Sequence, residues 1–312
     1  MTTELSIDPG TTHSEIIRFD SVTGWAGGRH GSIGSSEAAI LLGYGYAGSS
    51  KYSLWAEKRH KIKPEYTQST LTMFEKGKLA EPYLSGLCRL DHGWELQHDS
   101  TPESPAFRRS IQYPFMTASL DAWMIEGGEH VAVEFKNVND YAGRFDWSEL
   151  KGKAPLKYTI QMQHQLAVTG WKRGYVVALC GFDPIVVPVK RHDGLIESII
   201  YECQEFWECV QTGREPEIDD SEATQGTLNR MFSPKPRDAK HLNAEDSKLL
   251  SEYLRLETEL AQNESDFETV RNQLTRLAEG AEWLVSANGV MYSYKTIRGG
   301  KTKKLRAKAG NF

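Results

Sequence analysis

Two acids and a lysine stand at a spacing that suits a catalytic metal ion. Asp121 is followed after twelve residues by Glu134, and Lys136 comes two positions later. Carboxylate oxygens are the hard ligands that Mg²⁺ prefers, and two ions about 4 Å apart can clamp the attacking and leaving oxygens of a phosphodiester. A lysine beside them can orient the attacking water or stabilise developing negative charge. The pattern indicates metal-assisted hydrolysis, although two strands with solvated charges would also produce it.

Further polar side chains could converge on the same centre. Glu81 lies within a predicted helix, where the alternative is a solvated surface acid. Gln161 and Gln165 are one turn apart and share a face of another predicted helix. For Gln163 and Gln165 we favour a plain polar helix face, whereas Gln161 is a candidate for the centre.

An anion site is predicted upstream. Free backbone N–H groups at a helix start favour a phosphate, and an arginine adds a bidentate fork. Arg29 precedes the helix start at Ser35 and Ser36, so these three residues form a candidate phosphate site.

The periodicity of the apolar residues and the turn residues predict the helices and strands that must position these side chains. Helices are predicted from Ser35, at 53–61, 69–90, 156–169 and 193–212, and strands at 94–97, 116–125, 131–135, 174–179 and 185–189. A hairpin turn at 126–129 puts Asp121 and Glu134 on neighbouring strands, with Glu134 and Lys136 on one face. This order predicts an α/β sandwich with a central mixed sheet.

The ends of the chain are predicted to lie outside this core. Residues 1–24 are expected to be a loose lead-in, 25–215 the core, 216–240 a linker and 241–312 an appendage. The appendage is predicted as two helices, 244–262 and 266–279, and a β-hairpin turning at Asn288-Gly289. Seven basic residues near the C-terminus form either a solvated tail or a contact for DNA or a partner: Lys295, Arg298, Lys301, Lys303, Lys304, Arg306 and Lys308.

Composition excludes several other classes of protein. With 39% hydrophobic and 25% charged residues and no long apolar run, the chain predicts an ordinary cytoplasmic protein. Its four cysteines lack metal-site spacing and are expected to be buried free thiols. We expect structural roles for His30 and His164, and packing roles for Trp25, Trp55 and Trp123. The net charge of -5 disfavours bulk attraction to nucleic acid but leaves room for a local basic channel.

Taken together, these segments resemble the lambda exonuclease and YqaJ-like viral recombinase family, a branch of the PD-(D/E)XK nucleases. The resemblance spans roughly residues 25–215 and is carried by five motifs in order: Gly31 to Ala39, Gly77 to Pro82, Ala118 to Ala122, Val133 to Lys136 and Tyr158 to Gly170. Two positions depart from the family's Ser-Pro-Asp-Gly pattern, because Leu120 and Ala122 flank the first acid here.

The resemblance implies a PD-(D/E)XK core with two Mg²⁺ ions, for which Mn²⁺ could substitute. Asp121, Glu134 and the Phe135 carbonyl would hold the metal, with Glu81 supporting the second ion. Lys136 and Gln161 would position the water. The 5′-phosphate of the DNA would be bound by Arg29, Ser35, Ser36 and Ser119.

The resemblance also implies an activity and its partners. A phage- or prophage-encoded homotrimeric ring would digest one strand of linear double-stranded DNA 5′ to 3′, and a single-strand annealing protein would receive the 3′ overhang. The alternatives are an endonuclease, a Cas4-like or RecB-like nuclease, or an inactive protein that binds DNA ends. The scattered cysteines disfavour iron-sulfur relatives among these.

Overall fold

The computed structural model describes residues 5–7, 13–46, 48–138, 152–180, 183–233, 236, 239–281, 283–287, 291–293 and 306–308. The chain divides into two compact units, residues 1–233 and 234–312. The connection between the strand predicted at 131–135 and the helix predicted at 156–169 lies largely outside the described residues. Residues 181–182, between the strands predicted at 174–179 and 185–189, also lie outside them.

The first unit alternates helices with short strands. Its described helices are α1 (Val22–His30), α2 (Ser35–Leu41), α3 (Lys51–His60), α4 (Gln68–His92), α5 (Leu156–Thr169), α6 (Asp193–Thr212) and α7 (Glu222–Met231). Its described strands are β1 (Leu5–Ile7), β2 (Ser14–Arg18), β3 (Ile33–Gly34), β4 (Ala106–Ser110), β5 (Met116–Ala118), β6 (Ala122–Glu126), β7 (Glu129–Asn137), β8 (Arg173–Leu179) and β9 (Pro184–Lys190).

These strands form two mixed sheets rather than the one central sheet that we expected. One has the order β1-β2-β4-β5-β3, with β3 parallel to β5. The other has the order β6-β7-β8-β9, in which β7 and β8 are parallel and α5 is the described helix between them. The α/β class is therefore confirmed, and the parallel pair requires a crossover of this kind.

The strand predicted over 116–125 is interrupted, and the interruption matters for the site. Residues 119–121 leave the first sheet after β5 and enter the second at β6. Asp121 therefore lies at the junction of two sheets, immediately before β6, instead of within a strand. The strand predicted at 94–97 is reduced to a single bridge between Gln97 and Trp123.

The second sheet is covered on both faces. Leu84 and Cys88 of α4 pack with Val133, Phe135 and Val177 on one face. On the other face, a larger cluster joins Ala132 and Val176 to apolar residues of α5 and α6. Because side chains alternate along β7, Glu134 and Lys136 point to the side of α5.

Two stretches predicted to be loose are ordered. Instead of a loose lead-in, β2 pairs with β4 in register from Ser14 with Ser110 to Arg18 with Ala106, and α1 follows it. The two adjacent apolar residues Ile16 and Ile17 are too short a run to predict a strand. The stretch predicted as linker contains α7, which begins at the N-cap Ser221.

The second unit contains one long helix, α8 (Ala244–Ala278), of 35 residues, where two helices were predicted. The polar segment around Asn263 contains no glycine or proline, so nothing in it ends the helix. Strands β10 (Trp283–Val285), β11 (Met291–Ser293) and β12 (Arg306–Lys308) form an antiparallel sheet. The predicted turn at Asn288-Gly289 and the basic residues 295–304 fall outside the described residues.

Other expectations from composition can be compared with the structure. Cys88, Cys203 and Cys209 are buried free thiols, and Cys180 is a half-buried one. Within the described part of the chain, none of the helices is both long and apolar enough to cross a bilayer.

Candidate functional site

Glu134 is a buried carboxylate held by three donors. Its side chain is 3% exposed in the middle of β7. Lys136 Nζ and Gln161 Nε2 each lie 2.6 Å from Oε1, and Gln165 Nε2 lies 2.6 Å from Oε2. The two glutamines reach it together because they are one turn apart on α5. The predicted shared face of Gln161 and Gln165 is confirmed, and the polar-face interpretation of Gln165 was wrong.

Asp121 lies beside Glu134 because of the register of the β6–β7 hairpin. Ala122 pairs with Val133, and Asp121 Oδ2 accepts a hydrogen bond of 2.8 Å from the Phe135 backbone N–H. His98 Nδ1 is 2.7 Å from the Asp121 carbonyl oxygen, to which it donates. The junction residue is thus fixed by its side chain and its backbone.

The charges of this centre raise three pKa values. Burial and then the repulsion of Glu134 hold the pKa of Asp121 well above its usual range. Burial and Glu134 likewise raise the pKa of Glu81, which faces the centre from α4. For Lys136 burial is the largest single influence and opposes the charge, but the attractions of Glu134, Tyr46 and Asp121 and the hydrogen bond to Glu134 together outweigh it and raise the pKa. The lysine therefore stays protonated beside three acids.

The donor set suits a cation that keeps part of its water shell. Among the described residues, no three His, Cys, Asp or Glu side chains gather at ligand spacing. Mg²⁺, however, is commonly bound through one or two carboxylates, waters and substrate phosphate. The repulsion between Asp121 and Glu134 that raises the pKa is what such an ion would relieve. The residues present therefore fit Mg²⁺ at this pair of carboxylates.

The residues predicted to bind phosphate are placed at the start of α2. Arg29 lies in the last turn of α1, with its guanidinium 5.0 Å from the Trp25 ring centroid. A Cβ built on Gly34, the N-cap of α2, would lie 3.0 Å from Arg29 Nη2, so the guanidinium is next to the helix start. Gly34, rather than Ser35, is the N-cap, and its N–H donates to Glu37.

The predicted serines differ in accessibility. Ser35 is 5% exposed and its Oγ is 3.2 Å from His164 Nδ1, so its hydroxyl is occupied inside the protein. Ser36 and Ser119 are both half-buried. Ser119 lies in the same sheet junction as Asp121, two residues before it.

Two neighbouring helix residues have structural roles. His164 is fully buried, and burial lowers its pKa to about 3, so it is neutral. Gln163 Nε2 donates to the Lys190 carbonyl at 2.7 Å and its Oε1 accepts from the His192 N–H at 2.9 Å. The burial of His164 agrees with the structural role expected for it, whereas the plain polar helix face expected at Gln163 is wrong, because its side chain is buried and bonded inside the protein.

Aromatic and basic side chains that the sequence did not single out lie near the acids. Lys136 Nζ is 5.1 Å from the centroid of the Tyr158 ring. Lys157 Nζ is 4.9 Å from the same centroid and 5.4 Å from that of Tyr46. Burial raises the pKa of Tyr46, which also senses the charges of Lys136, Glu134 and Asp121. The helical spacing of Tyr158 one turn before Gln161 was the available signal, whereas Tyr46 lies in a loop.

The sheet order, the paired acids and the lysine define the PD-(D/E)XK nuclease fold, and the solved structures agree. One is LHK-Exo, an alkaline exonuclease from Laribacter hongkongensis, in complex with dAMP, with a TM-score of 0.51 and 18% identity over 67% of this chain and 98% of that chain. A second structure of LHK-Exo matches with a TM-score of 0.48 and 18% identity over 62% and 94% of the chains. At this identity the likeness shows the fold.

Residues 24–172 match the model of the YqaJ-like viral recombinase domain. The matched segment contains Asp121, Glu134 and both glutamines. A phage-related exonuclease from Haemophilus somnus 129PT is also similar, with a TM-score of 0.44 and 14% identity over 58% of this chain and 96% of that chain. No curated protein sequence matches the chain.

Proposed function

We propose that this chain is a Mg²⁺-dependent 5′ to 3′ exonuclease that acts on linear double-stranded DNA and leaves 3′ single-stranded overhangs. The observation that carries the proposal is the Glu134 carboxylate, which three donors hold at 2.6 Å beside Asp121. The match of residues 24–172 to the viral recombinase domain model and the similarity in fold to an alkaline exonuclease support it.

The residues divide the work of phosphodiester hydrolysis. Asp121, Glu134 and the Phe135 carbonyl would hold Mg²⁺, or Mn²⁺ in its place, and Glu81 would support a second ion. When bound, such ions supply Lewis-acid activation of the phosphate and a lower pKa for a coordinated water. Lys136 is protonated, so it can orient the water or neutralise developing charge and cannot act as the base.

Gln161 can position the water. Its Nε2 donates to Glu134, while its Oε1 is buried and has no hydrogen-bond partner among the described residues. A buried acceptor without a partner is costly, and an attacking water would satisfy it. Gln161 would therefore hold the nucleophile through Oε1 and the metal ligand through Nε2.

Arg29 would recognise the 5′-phosphate of the end. Its guanidinium lies next to the start of α2 and can bind phosphate through two parallel hydrogen bonds. The accessible Ser36 and Ser119 would add contacts, whereas Ser35 would need to share its hydroxyl with His164. We place the main recognition on Arg29, because α2 has only seven residues and contributes a small dipole.

The wider setting is also a proposal. By analogy with the family that these segments resemble, the chain would form a homotrimeric ring that threads the duplex, and a phage single-strand annealing protein would receive the overhang. Such an enzyme would act in the cytoplasm of the bacterial host.

Digestion of end-labelled linear duplexes tests the proposal. Duplexes with 5′-phosphate or 5′-hydroxyl ends are incubated with Mg²⁺, Mn²⁺ or chelator, next to covalently closed circles. We expect loss of the 5′-terminal nucleotides first, intact circles, and no cleavage in chelator. Cleavage of closed circles would show an endonuclease, and binding of ends without cleavage would show an inactive DNA-binding protein.

The Arg29→Ala variant isolates end recognition in the same assay. We expect a selective loss on phosphorylated ends, which brings their rate down towards that of hydroxyl ends. An equal loss on both kinds of end would contradict the assignment of Arg29 to the phosphate.

A further inference from the structure

Helix α8 carries a heptad repeat along most of its length. Its a positions are Tyr253, Leu260, Phe267 and Leu274. Its d positions are Leu249, Leu256, Asn263, Val270 and Leu277. The spacing alternates between four and three residues without a break from 249 to 277. A repeat of 3.5 residues sustained over about four heptads is the pattern of a coiled coil.

The a and d side chains form one seam, which is exposed except at the half-buried Leu274. Leu249 is 75% exposed, Leu260 60%, Phe267 60% and Leu277 72%. An apolar strip that is broken only at Asn263, on a 35-residue helix, is far more than the scattered apolar residues of an ordinary surface. Of the other large apolar side chains of α8, Leu250 flanks the seam at an e position and Leu254 lies at a b position.

We propose that this seam is a dimerisation surface and that it packs antiparallel against α8 of a second copy of the chain. In the register that opposes Asn263 and Phe267 of the two copies, eight of the nine a and d residues meet an a or d residue of the other helix. The pairs include Tyr253 with Leu277 and Leu260 with Val270, both apolar. Asn263 of each helix then faces Phe267 of the other, in the two layers on either side of the two-fold axis, so the polar breaks are confined to the centre of the seam.

The flanking charges select the second copy's direction. In a parallel pair each g position would face an e position of the other helix. Glu252 would face Glu257 and Glu259 would face Glu264, which gives four repulsive contacts by symmetry. Asp266 would face Arg271, which gives two attractive contacts. In the antiparallel register Glu257 faces Arg271 of the other helix, which gives two attractive contacts by symmetry. Glu264 faces Glu264 of the other copy and Asp266 faces Asp266, which gives two repulsive contacts. Half as many repulsions for the same number of attractions favours the antiparallel pair.

Single cysteines in the full-length chain distinguish these arrangements. In a Cys180→Ser background, Asp266→Cys lies close to its own copy on the two-fold axis and should give a covalent dimer on mild oxidation. Ser265→Cys is the matched control, because it has the same height on the helix but an outward f position. Leu256→Cys should not cross-link to itself, since the antiparallel copies lie about 27 Å apart along the axis at 1.5 Å per residue.

The outcomes are decisive. Cross-linking of Asp266→Cys alone supports the proposal. Cross-linking of Leu256→Cys without Asp266→Cys would show a parallel pair and overturn it, and cross-linking of neither, or of Ser265→Cys equally, would overturn it as well.

Assembly mass gives a second, independent test. The paired variant Leu256→Glu with Leu260→Glu should halve the mass measured by light scattering, whereas Thr258→Glu on the outward face should not change it. Thermal unfolding of the first unit should be the same in both variants. An unchanged mass in the Leu256 and Leu260 variant would contradict the proposal. The inference does not depend on the proposed nuclease activity, because neither measurement uses DNA or metal.

Discussion

Glu134 shows how a single residue can be prepared for metal binding. A carboxylate at 3% exposure needs compensating donors, and it has an ammonium and two amides. These donors fix the direction of both carboxylate oxygens, so the side chain would lose less conformational freedom on binding an ion. The sequence indicated Lys136 and Gln161 from spacing and resemblance. It could not indicate Gln165, because the sequence does not distinguish a glutamine that bonds to a buried partner from one on a solvated polar face.

Gln165 and Gln163 offer a matched pair of substitutions on one helix. Gln165→Ala removes an orienting donor from Glu134, so we expect metal affinity to fall about 10- to 100-fold. Gln163→Ala removes contacts to Lys190 and His192, and we expect lower stability with unchanged metal affinity. Titration with Mn²⁺ and urea unfolding measure the two effects. Equal losses of metal affinity in both variants would contradict the role given to Gln165.

The ionised Asp121 carboxylate should lower the folding stability of the metal-free protein at neutral pH. Its pKa is raised in the folded state, so the folded state binds the proton more tightly than the unfolded state does. Stability is therefore lost as pH rises from the unfolded pKa through the raised folded pKa. We expect Asp121→Asn to raise Tm at pH 7 by about 2–4 °C, the shift that ~1 kcal/mol gives in a domain of this size.

Thermal melts at several pH values check this expectation. The gain should vanish near pH 4, where the wild-type carboxyl is protonated in the folded state, and Mg²⁺ should stabilise the wild type but not the variant. A variant that is less stable at pH 7 would show that the repulsion is smaller than the hydrogen bond from Phe135.

At the scale of elements, the sequence predicted the bounds of a helix correctly where residues next to the helix end determine them. Helices α5 and α6 were predicted with the bounds that the structure has, since glycines follow them at 170 and 213 with φ of 74° and 82°. The break between β5 and β6 could not be predicted, because an apolar run is the same whether it continues in one sheet or changes to another. That break nevertheless places Asp121.

The β6–β7 hairpin should be sensitive to its turn residues. Gly127 and Gly128 have φ of 61° and 79°, a left-handed conformation that a β-branched residue adopts only at a cost of about 1–2 kcal/mol. We expect Gly127→Val to lower the free energy of unfolding by that amount, and Gly127→Asn to be tolerated because asparagine enters this region readily. Urea unfolding of both variants measures the difference. Equal stability of the two would contradict the turn geometry.

At the scale of the whole molecule, the described site residues all lie in residues 1–233. The sequence predicted a division between core and appendage. It predicted two helices instead of α8, because a polar stretch inside a helix has the same composition as a loop between two helices. We expect residues 1–233 alone to unfold cooperatively and to digest linear duplex at a rate within about twofold of the full chain. Loss of cooperative unfolding in this fragment would show that the second unit is needed for the fold.

The most direct measurement of the central claim is the digestion of linear duplex DNA in Mg²⁺ by the wild type and by Glu134→Gln and Lys136→Ala. The account predicts processing by the wild type and a loss of at least about 100-fold in each variant, with thermal unfolding still cooperative. Activity close to wild type in both folded variants would contradict the assignment of this centre.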